Sequence, residues 1–261
     1  MSKPRSTIRI VAIVVFAALL AASATAQENT ASNPEEFDTY LYHSYNLVSW
    51  PFVLPPDIST QSVFADSTGT GCQLTGGYPA GASDQVKFFD CSDDSWYTAW
   101  YKVGGPGESD VWKGDLTTIE SDKSYWIIIQ YDHPEVTLTM SGTVSDTNRI
   151  VPVCAGSTCN FVGSCFPVPR HLEDANLLSS GFTGGYPAGR SDMMRYYDAS
   201  NHTWYTAWYK VGGPGENNIW RGRLSASQTD GQPYLEPGNG YRLEARGAFI
   251  DDQWVYPPPA E

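Results

Sequence analysis

Hydrophobic and polar residues alternate most regularly in residues 96–103, where aromatic side chains occur on both alternating sets. Because successive side chains of a strand point to opposite faces, this run predicts a β-strand. Residues 86–90 predict a second strand, and the polar segment 91–95 predicts the turn that joins the two into an aromatic hairpin. The predicted core face of the 96–103 strand carries Tyr97, Ala99, Tyr101 and Val103, and its opposite face carries Trp96, Thr98, Trp100 and Lys102.

Other short runs also favour strands over helices. The 24 glycines and 18 prolines disfavour long helices, and residues 104–107, Gly-Gly-Pro-Gly, predict a type II turn. Only residues 58–65 and 171–178 are amphipathic over one or two helical turns. The pattern predicts an all-β fold of antiparallel β-sandwich modules, each with one short helix. Further predicted strands are residues 45–50, 125–130, 135–140, 160–166 and 241–245.

The hairpin sequence occurs twice in the chain. Residues 75–81 recur as 183–189, and residues 96–108 recur unchanged as 204–216, both at an offset of 108. Over residues 75–114, 26 of 40 positions are identical to the second occurrence. The sequence therefore predicts two tandem copies of one module, residues 39–150 and 151–261. Further along, Tyr125 matches Tyr241, which predicts a longer loop around residues 225–234 in the second copy.

The N-terminus has the pattern of a secretory signal peptide. Basic residues precede an apolar run at 10–22, and Ala-Thr-Ala at 24–26 provides the small residues of a cleavage site. Thirteen apolar residues are too few to cross a bilayer as a helix, and no second apolar span follows. We therefore predict a signal peptide at residues 1–26 and a flexible leader at residues 27–38. The mature protein should be secreted, extracellular or at the cell surface, with no membrane span.

The charge of the chain excludes nucleic acid as a default partner. There are 16 basic and 29 acidic residues, which gives a net charge of −13. Without residues 1–26 the charge is −16, and residues 27–150 hold only five basic side chains. Phosphate backbones bind basic surfaces, and composition alone provides none here.

Five cysteines in a secreted chain predict disulfides and leave at least one thiol unpaired within the chain. At the offset of 108, Cys72 aligns with Ser180 and Cys91 with Ala199. Because both thiols are missing from the second copy, we predict a Cys72–Cys91 disulfide. One further bridge and one leftover thiol are expected, with the pairing left open, among Cys154, Cys159 and Cys165.

Three motifs resemble a repeated β module that is appended to many secreted and surface proteins of bacteria. These are Asn-Leu-Val-Ser-Trp-Pro at 46–51, the aromatic hairpin, and the segment 116–126 that ends in Tyr-Trp. The second copy keeps Leu-Glu-Pro-Gly-Asn-Gly-Tyr at 235–241 but has Arg242 where the module usually has tryptophan. The resemblance implies a non-catalytic extracellular module, and it supplies no catalytic residues.

The polar and aromatic face of the duplicated strand is the strongest candidate for a binding site. Its two indoles would lie about 13 Å apart along the strand, and exposed indoles can stack on the apolar faces of sugar rings. We therefore predict a non-catalytic protein that binds an extracellular glycan or surface component. The alternative is that these tryptophans fill an interface between sheets. The predicted ligand-binding residues are Trp96, Trp100, Lys102, Trp204, Trp208 and Lys210.

Other functions have weaker support in the sequence. Exposed strand edges and aromatic faces could instead assemble the protein into a layer or fibre. A glycoside hydrolase would need two facing carboxylates, for which Asp84 and Asp192 are duplicated candidates. More plausible for Asp90 and Asp198 are side-chain bonds within the hairpin turns. No Ser-His motif, cofactor motif or metal-ligand spacing is evident, so we predict no enzyme activity, no cofactor and no metal site.

Overall fold

The computed structural model describes residues 35–65, 72–157, 159–229 and 231–259. The predicted signal peptide and residues 27–34 of the predicted leader lie outside the described residues. For description, residues 35–148 are called the first half and residues 149–259 the second half.

Strands make up most of the regular structure in both halves, and the described residues contain one short α-helix. The first half contains β1 (Glu35–Leu41), β2 (Ser44–Ser49), α1 (Thr60–Val63), β3 (Gln85–Asp90), β4 (Ser95–Lys102), β5 (Val111–Gly114), β6 (Ser124–Ile129) and β7 (Val136–Gly142). The second half contains β8 (Arg149–Pro152), β9 (Asn160–Gly163), β10 (Arg170–His171), β11 (Met193–Asp198), β12 (Thr203–Lys210), β13 (Ile219–Gly222), β14 (Tyr234–Leu235), β15 (Gly240–Glu244) and β16 (Gln253–Tyr256). Short 3-10 turns are Ala80–Ala82, Ala188–Arg190 and Ile250–Asp252.

Each half contains a five-stranded antiparallel sheet with the same strand order. The first sheet runs β2-β6-β3-β4-β5, and the second runs β9-β15-β11-β12-β13. Each half also has a two-stranded antiparallel sheet, β1-β7 in the first and β8-β16 in the second, and β10 pairs with β14. The prediction of an all-β, antiparallel fold is confirmed at this level.

One face of each five-stranded sheet packs on a hydrophobic core. In the first half, Val86 and Ile127 of the sheet share a core with Leu138 of the two-stranded sheet. In the second half, Leu243 of the sheet shares a core with Trp254 of its two-stranded sheet. The opposite face of each five-stranded sheet is therefore available for other contacts.

The two halves contact each other through equivalent backbone positions. Val48 forms an isolated bridge with Asn239, and the Ser49 N–H donates to the Gly238 carbonyl at 2.9 Å. The same two contacts recur with the halves exchanged: a bridge between Lys123 and Val162, and a 2.9 Å bond from the Gly163 N–H to the Asp122 carbonyl.

Two glycines permit this close approach of the sheets. A Cβ added at Gly240 would lie 2.4 Å from the Ser124 Cβ. A Cβ at Gly163 would lie 3.1 Å from the Ser49 Cβ. Larger side chains at these positions would push the halves apart.

Two local predictions differ from the structure. Residues 35–38 belong to β1 and pair with β7, so this part of the predicted flexible leader is ordered by cross-strand hydrogen bonds. In the stretch 171–178 the structure has no helix: His171 belongs to β10 and residues 172–178 form successive turns, with the Ala175 N–H bonded to the Leu172 carbonyl. In contrast, the predicted helix in 58–65 exists as α1, and the Ser59 side chain caps its N-terminus.

Candidate functional site

The duplicated strands β4 and β12 occupy the predicted position next to a hairpin turn. β4 pairs with β3 on one side and with β5 on the other, which makes it a rigid inner strand. Ala99 is buried in the core and Tyr97 packs against it, whereas Val103, beyond the strand end, is 43% exposed. The other β4 face, with Trp96, Thr98 and Trp100, points away from the core.

Trp100 lies in the middle of this outward face. It stands directly opposite Gln85 on β3 and Lys113 on β5. It is partly exposed, and none of the aromatic contacts in the described structure involves its ring. Lys87 is its diagonal neighbour on β3, directly opposite Thr98. The exposed part of the indole is therefore bordered by polar and cationic side chains.

Trp208 has the equivalent position on β12. It stands directly opposite Met193 on β11 and Arg221 on β13, and it is partly exposed. Its diagonal neighbour Arg195 lies directly opposite Thr206. The register of the second sheet thus reproduces the tryptophan, the threonine and two flanking cations.

Trp96 and Trp204 have a different environment at the start of these strands. They are 48% and 37% exposed, but each contacts an aromatic ring of the other half. The Trp96 ring centroid lies 5.9 Å from that of Phe161, and the Trp204 centroid lies 5.9 Å from that of Trp126. The interface role considered above therefore describes this pair better than it describes Trp100 and Trp208.

The two predicted ligand lysines are occupied inside their own loops. Lys102 and Lys210 are each only 6% exposed. Their ammonium groups donate to the carbonyls of Pro106 and Pro214, respectively. Each ammonium also lies over a tyrosine ring, at 5.4 Å from the Tyr78 centroid in the first half. This geometry assigns Lys102 and Lys210 to loop stabilisation and turns them away from a ligand on the outward face.

The predicted Cys72–Cys91 disulfide is wrong. Cys91 is bonded to Cys154, with the Cα atoms 6.0 Å apart. Cys91 directly follows β3 in the hairpin turn and Cys154 precedes β9, so the bond joins the two halves. Burial raises the pKa of both Cys159 and Cys165, which disfavours the reactive thiolate at neutral pH.

The second half lacks an equivalent of the Cys91–Cys154 bridge, because neither counterpart position holds a cysteine. The Asn46 side chain bonds the N–H and carbonyl of Tyr42, and Asn160 bonds the same groups of Cys154. Tyr42 is therefore the counterpart of Cys154. Ala199 and Tyr42, which belong to different halves, therefore stand where an equivalent second disulfide would lie.

An open cleft of about 340 Å³ lies at this second site, between the halves. The longer loop of the second half contributes Ser225 and Ser227 to its wall, and no lysine or arginine of the described residues lines it. The cleft thus occupies the place that the disulfide closes on the other side. Its aromatic and acidic lining includes Phe37, Tyr40, Tyr42, Tyr196, Asp38, Asp198 and Glu236.

The duplicated carboxylates Asp84 and Asp192 are structural. Both are essentially fully buried. Asp84 accepts backbone N–H bonds from Thr75 at 2.8 Å and Gln130 at 2.9 Å. Asp192 accepts equivalent bonds from Thr183 and Arg246, both at 2.6 Å. A carboxylate committed to backbone donors in the core cannot face a substrate.

The hairpin aspartates also have local roles. The Asp90 carboxylate accepts bonds from the backbone N–H and the hydroxyl of Ser92 at 2.8 and 2.7 Å. Although partial burial opposes ionisation, these bonds lower the pKa of Asp90. Asp198 accepts the same two bonds from Ser200. The side-chain turn bonding expected from the sequence is present in both hairpins.

His43 and His133 are 90 positions apart in the sequence and meet in the fold. His133 Nδ1 lies 2.7 Å from the buried Asp84 carboxylate, and His43 Nε2 lies 2.7 Å from the His133 carbonyl oxygen. His43 also approaches Glu135 at 3.5 Å. Among the described residues, no group of three or more His, Cys, Asp or Glu side chains is arranged to hold a metal ion.

Comparisons with known proteins add no relative. No protein-family model, curated protein or solved structure matches the chain. Within the described ranges, the only α-helix spans four residues, and no helix has the length and apolar character needed to cross a membrane.

Proposed function

We propose that this protein is a secreted, non-catalytic glycan-binding protein built from two tandem antiparallel β-sandwich modules. Each module presents one tryptophan, Trp100 or Trp208, to a sugar ring. The resemblance to bacterial surface modules, the signal-peptide pattern and the disulfide support an extracellular location.

The placement of Trp100 and Trp208 is the observation that carries this proposal. Each lies on an inner strand that is paired on both sides, on the sheet face opposite the core. A sugar ring can stack on an indole without disturbing a strand held in this way. Directly paired Gln85 and Lys113 supply hydrogen-bond donors beside Trp100, and Arg221 does so beside Trp208.

The environment of the duplicated acids supports a non-catalytic role. A glycoside hydrolase needs two carboxyl groups about 5 to 10 Å apart across a substrate. Asp84 and Asp192 are buried in separate halves, where each holds backbone N–H groups. Asp90 and Asp198 are engaged in their own hairpin turns.

Affinity gel electrophoresis with soluble neutral polysaccharides tests the proposal. We expect a xylan, glucan or mannan in the gel to retard the wild type, Trp100→Ala and Trp208→Ala to reduce retardation, and the double variant to abolish it. Because two linked sites bind with avidity, each single variant should lose more than half of the apparent affinity. Tyr131→Ala removes another exposed aromatic residue (77% exposed) and serves as the matched control.

Two results would contradict the proposal. Equal retardation of the double variant and the wild type would remove the tryptophans from the site. Concentration-dependent polymers of the mature protein, without glycan retardation, would favour the alternative of a layer or fibre.

A further inference from the structure

Basic side chains are scarce in this chain, but several lie on the two outward sheet faces that carry Trp100 and Trp208. Residues 27–150 contain five basic side chains against 18 acidic ones. Two of those five, Lys87 and Lys113, border Trp100. Although composition alone predicts no basic surface, the sheet register creates a local one.

The spacing in the first sheet places one cation on each side of the indole. Lys113 is directly opposite Trp100, so the two Cβ atoms lie about 5 Å apart, and Lys87 is a diagonal neighbour at about 7 to 8 Å. Both side chains can extend past the indole. A ring stacked on Trp100 would have an ammonium group on either side.

The second sheet keeps both charges although the residues differ. Arg221 replaces Lys113 opposite Trp208, and Arg195 replaces Lys87 on the diagonal. The neutral neighbour changes from Gln85 to Met193, and both cations remain. Preservation of charge on both sides of each indole points to an anionic ligand group.

The ion pairs that these cations form with nearby acids leave them able to bind an anionic ligand. Lys113 and Arg221 pair at 3.3 Å with Glu108 and Glu216, whose side chains are 78% and 79% exposed. Exposed ion pairs of this kind are weak, so a ligand carboxylate can replace the glutamate. Lys87 has no acidic group within ion-pair distance among the described residues.

Arg195 belongs to a cluster of three arginines around one buried glutamate. It pairs at 2.8 Å with Glu244, a buried residue that also approaches Arg242 at 3.3 Å and Arg246 at 3.9 Å. Arg195 and Arg242 are directly opposite each other across β11 and β15, and like charges in this arrangement are destabilising. An anion at this face would add a second negative group beside Arg195 and Arg242 and would offset the repulsion between these two cations.

We propose that the natural ligand is an acidic glycan, whose rings stack on Trp100 and Trp208 and whose anionic groups pair with Lys87 and Lys113 or Arg195 and Arg221. This inference rests on the proposed glycan binding and names its chemical class. The shared ligand chemistry is a pyranose that carries a carboxylate or a sulfate.

Matched polymers isolate the contribution of charge. Polygalacturonate and its methyl ester have the same backbone and differ in the carboxylate, and dextran sulfate and dextran differ in the sulfate. We expect one acidic polymer to bind at least tenfold more tightly than its neutral partner. Whichever acidic polymer shows this preference over its neutral partner identifies the anionic group of the natural ligand as carboxylate or sulfate.

Charge-removing variants locate the effect. Lys87→Gln/Lys113→Gln combined with Arg195→Gln/Arg221→Gln should lower affinity for the acidic polymer at least tenfold and leave affinity for its neutral partner unchanged. Arg195→Lys and Arg221→Lys, made in place of the two arginine-to-glutamine changes, should restore most of the binding. Arg190→Gln removes an exposed charge elsewhere and is the control, and circular dichroism verifies the fold of each variant.

The outcomes separate the two proposals. Tryptophan-dependent binding that is equal for acidic and neutral polymers overturns the acidic-glycan inference and leaves glycan binding in place. Preference for the acidic polymer that survives the fourfold variant also overturns it. Failure to bind any polymer, neutral or acidic, overturns both.

Discussion

Cys91 of the first half is bonded to Cys154 of the second, so the covalent link in this protein lies between its halves. The bond reinforces the reciprocal backbone contacts made by Val48 with Asn239 and by Val162 with Lys123. At the counterpart site, Ala199 and Tyr42 line an open cleft. In the middle of the interface, each half therefore makes the same backbone contacts with the other. The two ends of the interface differ, because one end is closed by the disulfide and the other is an open cleft.

Loss of this link should destabilise the protein. The disulfide closes a loop with a sequence separation of 63, for which chain entropy predicts about 4 kcal/mol of stabilisation. We expect Cys91→Ala/Cys154→Ala to lower the free energy of unfolding by about 2 to 4 kcal/mol in urea titrations. Peptide mapping of the unreduced wild type should yield a 91–154 cross-link, and a 72–91 cross-link would contradict the structure.

The aromatic hairpins were predictable because the pattern that specifies them lies within a short stretch of sequence. Strict alternation in residues 96–103 determines which side chains face the core, and the sequence placed Tyr97 and Ala99 correctly. The pairing of Cys91 was not predictable in this way, since its partner is 63 positions away and belongs to the other half. The alignment of the copies showed that the second copy has no counterpart of Cys91, but it indicated Cys72 as the partner, because it carries no information on contacts between the copies.

The predicted ligand-binding residues show the same difference between features fixed by the local sequence and features fixed by long-range packing. The outward direction of Trp100 and Trp208 follows from the strand period, whereas the contacts of Trp96 and Trp204 depend on how the halves pack. Lys102 has the same strand parity as Trp100, but the loop that follows folds back over its ammonium group. The cations beside Trp100 come from two other strands, and only the register of the sheet brings them together.

The buried carboxylates should matter for stability in both halves. Asp84→Ala would leave the N–H groups of Thr75 and Gln130 without their acceptor, and unsatisfied buried donors cost about 1 to 3 kcal/mol each. We expect a loss of about 2 to 4 kcal/mol in unfolding free energy for Asp84→Ala and for Asp192→Ala. The exposed Asp93→Ala is the control, and urea titration is the measurement. A hydrolytic activity lost on Asp84→Asn, with stability unchanged, would contradict this structural role.

The loop lysines should also affect stability more than binding. Lys102→Met keeps the apolar stem but removes the ammonium bonded to the Pro106 carbonyl, and charged hydrogen bonds contribute about 1.5 to 3 kcal/mol. We expect Lys102→Met and Lys210→Met to lower the melting temperature, while Lys113→Met at the exposed position leaves it within about 1 °C. Polysaccharide affinity, measured below the melting transition, should be unchanged by Lys102→Met. A selective loss of affinity would return this lysine to the ligand site.

Tyr256 provides a test in which the sign of the effect depends on pH. Its buried hydroxyl has no hydrogen-bond partner among the described residues, and burial raises the pKa of Tyr256 above its usual value near 10. A raised pKa means that the neutral phenol is favoured in the fold. The associated stability is complete below pH 10 and is lost as pH rises, because the unfolded chain then ionises.

Removal of that hydroxyl should therefore protect the protein at high pH. We expect Tyr256→Phe to match or slightly exceed wild-type stability at pH 7, because a buried polar group without a partner is lost. At pH 11 it should be more stable than the wild type by about 1.4 kcal/mol, which is one pH unit of proton linkage. Tyr241→Phe should instead lose stability at pH 7, because the Tyr241 hydroxyl accepts the Glu236 N–H at 2.6 Å. Thermal melts from pH 7 to 11 measure both effects, and an advantage of Tyr256→Phe that does not grow with pH would refute the assignment.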